Sequence, residues 1–229
     1  MTEFRGFRRE TFSFLGGLVL NNERPWFEAH KGDYQEFVVG PAMVLITAMD
    51  EVVRSISPHY RGVAKKIGGS LMRIYRDTRF GNDKTPYKTN IGIQFRHENA
   101  KDVHAPGWYF HVDLEECFVG AGTWHPEPAD LIRIRRRIAD HPDEYRRALE
   151  VAGSEGRLTP SGDTLQKSPK GFDPDHPLAA DIRRKDFFVS TTLAPEEVLR
   201  DDLVPSLKAK FQASAPYMKF LCQALDAPF

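Results

Sequence analysis

Three stretches of alternating apolar and polar residues in the middle of the chain constrain its fold more than any other feature. In 71–76, Met72 and Ile74 share one face while Arg73 and Tyr75 take the other. In 91–97, Ile91, Ile93 and Phe95 oppose Gly92, Gln94 and Arg96. In 108–114, Trp108, Phe110, Val112 and Leu114 oppose Tyr109, His111 and Asp113. Successive strand side chains point to opposite faces, so each stretch offers one apolar row and one polar row. Glu115-Glu116 supplies a turn into a fourth strand, 117–123. The pattern predicts an antiparallel sheet with one buried face and one polar face.

Helical spacing flanks this region. A short helix over 12–20 is weakened by Gly16-Gly17. Asn22 is expected to cap the next helix, with Glu23 and Pro25 suited to its first turn. Phe27, Tyr34, Phe37, Val44, Leu45, Ala48 and Val52 continue at helical spacing. Gly40-Pro41 falls inside that run, which predicts a kink or a fresh helix start. Later, Leu131, Ile134 and Ile138 form an apolar stripe, with the Arg133–Arg137 run read as a solvated face. A second helix follows over 143–152, then a long loop over 154–177 rich in Gly, Pro, Ser and Asp. A strand over 187–193 leads into a final helical region that Pro205 and Pro216 are expected to divide. No repeat or linker breaks the chain. The expectation is one α+β domain over residues 1–229, its antiparallel sheet packed by long N- and C-terminal helices.

The chain carries 32 Lys plus Arg and 32 Asp plus Glu. Bulk charge therefore does not make it a polyanion binder, and any anion affinity must be local. One segment supplies it. From Arg73 to Lys88, five cations (Arg73, Arg76, Arg79, Lys84, Lys88) stand against two carboxylates, Asp77 and Asp83. Arginine presents a fixed fork of donors suited to carboxylate and phosphate, and lysine adds a flexible point charge. Asp77 is placed to orient an arginine, and Pro86 stiffens the loop. The expected placement is Arg73 to Arg76 on a strand and Arg79 to Lys88 on a long hairpin loop, with Arg96 on a neighbouring strand. The candidate ligand-binding set is Arg73, Arg76, Asp77, Arg79, Lys84, Tyr87, Lys88 and Arg96.

Three readings of these residues stand side by side. The favoured one is a binding domain or enzyme for a small phosphate- or carboxylate-bearing ligand. The second is a nucleic-acid or nucleotide binder, with Tyr75, Phe80 or Tyr87 stacking on bases; zero net charge argues against it. The third is an internal clasp in a structural or protein-interaction domain, with Asp77 and Asp83 paired to the cations while Phe80 and Tyr87 plug the loop into the core.

His111 and Asp113, two residues apart on one strand face, are the catalytic candidates for acid–base work. The competing reading of His111 is a half-exposed strand histidine. No cofactor or metal is expected. Gly120-x-Gly122 lacks the third glycine and the βα context of a dinucleotide loop, so it reads as a bulge or a tight strand end. The eight histidines show no metal-ligand spacing. No apolar run approaches the length of a membrane span and the N-terminus does not read as a signal peptide. Cys117 and Cys222 read as reduced thiols, so the expected location is cytoplasmic.

The charged segment also carries a resemblance. Arg73-x-x-Arg76-Asp77-x-Arg79-Phe80, then Asp83-Lys84-x-x-Tyr87-Lys88, resembles the signature of conserved hypothetical proteins of bacteria and fungi catalogued as a domain of unknown function (number 2461). Asn21-Asn22 with Trp26-Phe27, and Gly120-x-Gly122, are similar to that family as well. The resemblance spans essentially the whole chain, which implies a single domain. It adds weight to the motif and implies no particular reaction.

Overall fold

The computed structural model describes residues 3–79, 83–99 and 105–229. Four helical pieces open the chain: α1 (Arg9–Leu20), α2 (Arg24–Ala29), a single turn α3 (Lys31–Asp33) and, after a π-helical segment Tyr34–Val39, the long α4 (Gly40–Ile56). Pro41 explains the break. It has no N–H, so the carbonyl four residues back, on Phe37, loses its helical donor. Thr11 Oγ–H of α1 donates to that carbonyl instead, at 2.7 Å. The carbonyl that Pro41 leaves free thus pins the π segment to α1.

The strands are β1 (Tyr60–Arg61), β2 (Ile91–His97), β3 (Gly107–Val112), β4 (Cys117–Thr123), β5 (Thr159–Ser161) and β6 (Phe187–Leu193). They form one sheet in the order β1-β2-β3-β4-β6-β5, with every pair antiparallel. The remaining helices are α5 (Pro128–Asp140), α6 (Pro142–Gly156), α7 (Ala179–Ile182), α8 (Pro195–Val198) and α9 (Leu203–Ala224). Helix α4 packs on β2 and α9 on β4, and α6 lies along α9. One hydrophobic cluster joins these helices to the odd-numbered residues of the sheet, among them Ile93, Phe95, Val119 and Val189. Trp108 and Phe110 add the corresponding row of β3. Trp108 is fully buried, stacks on Phe211 of α9 and donates its indole N–H to Ser214 at 2.8 Å. The fold is the expected α+β architecture, with long helices from both ends of the chain covering the apolar face of an antiparallel sheet.

Residues 71–76 do not form a regular strand; they make only isolated bridges, Leu71 to Ile93 and Tyr75 to Tyr87. The segment runs alongside β2 at one end and turns to pair with its own return arm at the other. Asn22 does not cap α2: Glu23 holds that position, and the Asn22 amide is engaged elsewhere. Pro216 does not divide α9, which is continuous through it. Pro205 sits in its first turn, where a missing N–H breaks no bond. The loop expected from residue 154 begins later, because α6 continues to Gly156 and β5 intervenes. The Arg133–Arg137 run is not uniformly solvated: Arg135 is buried and donates to the Arg184 carbonyl at 2.8 Å.

Candidate functional site

The second face of the sheet carries Gly92 and Gln94 of β2, Gly107, Tyr109 and His111 of β3, Phe118, Gly120 and Gly122 of β4, and Phe188 of β6. Register sets Gly107 against Gly122, Tyr109 against Gly120, and Gly122 against Phe188. Residues without side chains thus adjoin large rings, and the middle of the face is hollow. A cleft of about 610 Å³ lies there. Met72, Arg76, Asp77, Lys88 and Asn90 from the 71–90 segment form one wall, and Trp124 and Phe188 close the other side.

One of the floor glycines is required by the backbone and a second is closely packed. Gly122 has φ +134°, and a Cβ on it would meet the Phe187 carbonyl oxygen at 2.2 Å. At Gly107 a Cβ would press on the Phe95 carbonyl oxygen at 3.0 Å. Gly120 differs: a Cβ there would find its nearest neighbours at 3.7 and 3.9 Å, ordinary contact distances. Gly120-x-Gly122 lies within the β4 ladder, which runs on to Thr123, and forms the floor of the cleft.

The charged hairpin closes over this floor. Its arms are joined by Arg76 N–H to the Pro86 carbonyl at 2.9 Å and Lys88 N–H to the Ile74 carbonyl at 2.7 Å. At the tip, Arg79 makes a two-pronged bond to Asp77, at 2.9 and 2.7 Å. Arg76 bonds Asp83 and also donates to Thr85 Oγ at 2.7 Å. Asp83 accepts in turn from the Thr85 amide and hydroxyl at 2.9 and 2.8 Å, and these bonds with Arg76 lower its carboxyl pKa to about 2. The Arg79 bonds likewise hold Asp77 well below the carboxylate range. Lys84 donates to the Thr78 carbonyl at 2.8 Å. Phe80, expected to plug the loop or stack on a base, lies outside the described residues.

The candidate residues therefore separate. Arg76, Asp77 and Lys88 reach the cleft. Arg73, Arg79 and Lys84 are exposed and lie away from it. Tyr87 is buried, stacked on Phe27 at 4.2 Å. Arg96 turns to the Gly69 carbonyl at 2.9 Å. Lys88 is half-buried; burial and the nearby Arg73 charge lower its pKa. Among the described residues, no acceptor bonds its ammonium.

Next to these cations, β3 carries a chain of three polar groups. Tyr109 Oη is 3.0 Å from His111 Nδ1, and His111 Nε2 is 2.9 Å from Asp113 Oδ2. An ionised carboxylate only accepts, so Nε2 carries the hydrogen; with the ring neutral, Nδ1 then accepts from the tyrosine hydroxyl. The protonation states fit. Burial acts to raise the Asp113 pKa, but the Glu116 and Glu115 amides and His111 outweigh it, and the net shift is downward. Burial, and then the Asp113 charge, push Tyr109 up to about 12. Phe118 stacks on the imidazole at 4.7 Å and holds its plane. An imidazole oriented by a carboxylate and reaching a cleft through a hydroxyl is equipped to move protons.

Gln94 adds an unmet polar group. It lines the cleft, is 6% exposed, and its Oε1 has no hydrogen-bond partner among the described residues. Sequence reading placed Gln94 and Tyr109 on this face but missed the contributions of Asn90, Phe118, Trp124 and Phe188. The even-numbered parity of β4 and β6 held the signal for the two phenylalanines.

Among the described residues, no group of three or more His, Cys, Asp or Glu is gathered to hold a metal, and no helix is long and apolar enough to cross a membrane. No protein of curated function matches the chain. The family described as Conserved hypothetical protein (DUF2461) matches residues 10–220, from the start of α1 to near the end of α9 and across the whole cleft. With nine-tenths of its length inside that match, the chain belongs to this family of conserved hypothetical proteins.

Proposed function

We propose that the open face of the sheet binds a small phosphate- or carboxylate-bearing ligand, with Lys88 and Arg76 as its electrostatic receptor and His111 placed for proton transfer. One observation carries this reading. Lys88, half-buried and without an acceptor among the described residues, shares a single cleft with Arg76 and with the Tyr109–His111–Asp113 chain. A cation withdrawn from water is stabilised by an anion, and an anion in this cleft lies beside an oriented acid–base group.

The clasp reading has support of its own at the hairpin tip, where Arg79 pairs with Asp77 and Arg76 with Asp83. The two readings divide the motif: the tip fixes the loop, and its base presents Lys88 and the edge of Arg76 to the cleft. Nucleic-acid binding is the less favoured reading: Tyr87 is buried and cannot stack on a base, which leaves the half-exposed Tyr75 as the stacking candidate among the described residues.

Isothermal titration with inorganic phosphate, comparing Lys88→Met with Lys84→Met, tests the proposal. Lys88→Met weakens binding tenfold or more and Lys84→Met leaves it unchanged. Equal affinity in both variants would sink it.

A further inference from the structure

The floor and edge of the cleft constrain the ligand beyond its charge. Gly120 sits at the centre of the floor, paired with Tyr109 on one side and Ser190 on the other. Its φ is not in the left-handed region and a side chain there would meet nothing closer than 3.7 Å. The fold itself does not require glycine at this position. What its missing side chain creates is a flat patch of backbone with the Phe118 ring beside it, and Tyr109 and Phe188 line the same cleft. Rings bordering a bare strand form a slot that suits a flat apolar body, because aromatic faces and edges gain most against another planar π-system.

Gln94 supplies the second constraint. Gln94 lines the cleft, and its Oε1 is buried and unpartnered. A buried carbonyl without a donor is a standing cost that a bound N–H or O–H removes.

We propose that the ligand is a planar heteroaromatic anion: a ring lying on Gly120, its anionic group toward Lys88, and a ring N–H donating to Gln94. This names the ligand class of the site described under Proposed function and rests on that reading.

Four carboxylates separate the contributions by equilibrium dialysis: acetate (charge alone), cyclohexanecarboxylate (a puckered ring), benzoate (a flat ring) and orotate (a flat ring with N–H). The expected order is orotate at least tenfold tighter than benzoate, and benzoate at least tenfold tighter than cyclohexanecarboxylate. Gly120→Ala keeps or raises the unfolding midpoint and weakens benzoate and orotate tenfold. Gln94→Leu brings orotate down to the level of benzoate. Equal affinity for benzoate and cyclohexanecarboxylate would overturn the flat slot, and equal affinity for orotate and benzoate would overturn the role of Gln94. In either case, retained binding of inorganic phosphate that depends on Lys88 leaves the anion site standing. Absence of binding by all four carboxylates and by phosphate would remove both proposals.

Discussion

The side-chain amide of Asn22 pairs with the backbone of Tyr87 in both directions. Its Oδ1 accepts from the Tyr87 N–H at 3.0 Å and its Nδ2 donates to the Tyr87 carbonyl at 2.9 Å. The amide thus stands in for a neighbouring strand and anchors the return arm of the hairpin one residue before Lys88. Losing both bonds costs about 1–3 kcal/mol. Asn22→Ala should lower stability by that amount in urea unfolding. Asn22→Asp should not restore it, because a carboxylate cannot donate to the carbonyl. Full stability of Asn22→Asp would show that the donated bond contributes nothing.

The sheet and the C-terminal helix meet at Trp108 and Ser214, both fully buried. Ser214→Ala leaves the indole N–H without its acceptor and should destabilise the protein by about 1–3 kcal/mol. Trp108→Phe in that background should add less than in the wild type, since the shared bond is already gone. A double-mutant cycle by chemical denaturation measures this, and simple additivity would contradict the coupling.

The hairpin tip predicts a specific acid titration. Asp83 has a folded pKa of about 2, below its ordinary 3.8. A depressed carboxyl pKa adds stability that is fully present above the unfolded value and is lost as pH falls through the folded value. The pairing should therefore hold down to about pH 4 and be lost towards pH 2. Carbon-detected NMR of the Asp83 carboxyl should show a midpoint near 2. A midpoint at 3.8 would mean that the Arg76 and Thr85 bonds do not persist in solution.

Lys88 predicts an alkaline limit to anion binding. Its pKa is lowered from 10.5 by burial and by Arg73. A lowered lysine pKa means that the folded protein loses this charge earlier than the unfolded chain does. Anion affinity should therefore fall as pH rises through a value below 10.5, and binding in that window should take up protons. Titrations in buffers of different ionisation enthalpy measure the uptake. Affinity that stays flat to pH 10.5 would place the anion elsewhere.

The sheet was legible in the sequence because its central strands alternate strictly, and a one-residue slip would reverse every side chain. Strand β2 therefore appears at the expected residues, and β4 follows the turn at Glu115-Glu116 as expected. The same logic misled at 71–76, where alternation reflects a segment packed on Ile74 but bridged at only two points. Asn22 reads as a cap from local sequence, and only the partner 65 residues away explains its role. Pro216 reads as a break, yet packing against α6 and the sheet keeps α9 intact. At the site, charge pointed to Lys88 and Arg76, and parity put His111 and Gln94 on the polar face of the sheet. The hollow itself was not legible, because it depends on which glycines meet which rings across strands, and register between distant segments sets that.

The central claim is that the base of the charged hairpin, together with the glycine-floored sheet face, receives an anion. The most direct test is an amide chemical-shift titration of the full chain with inorganic phosphate. Saturable shifts are expected at Lys88, Asn90, Gly120 and the Gln94 side-chain amide. Shifts confined to the exposed tip around Arg79 and Lys84, or no saturable shifts, would contradict the claim.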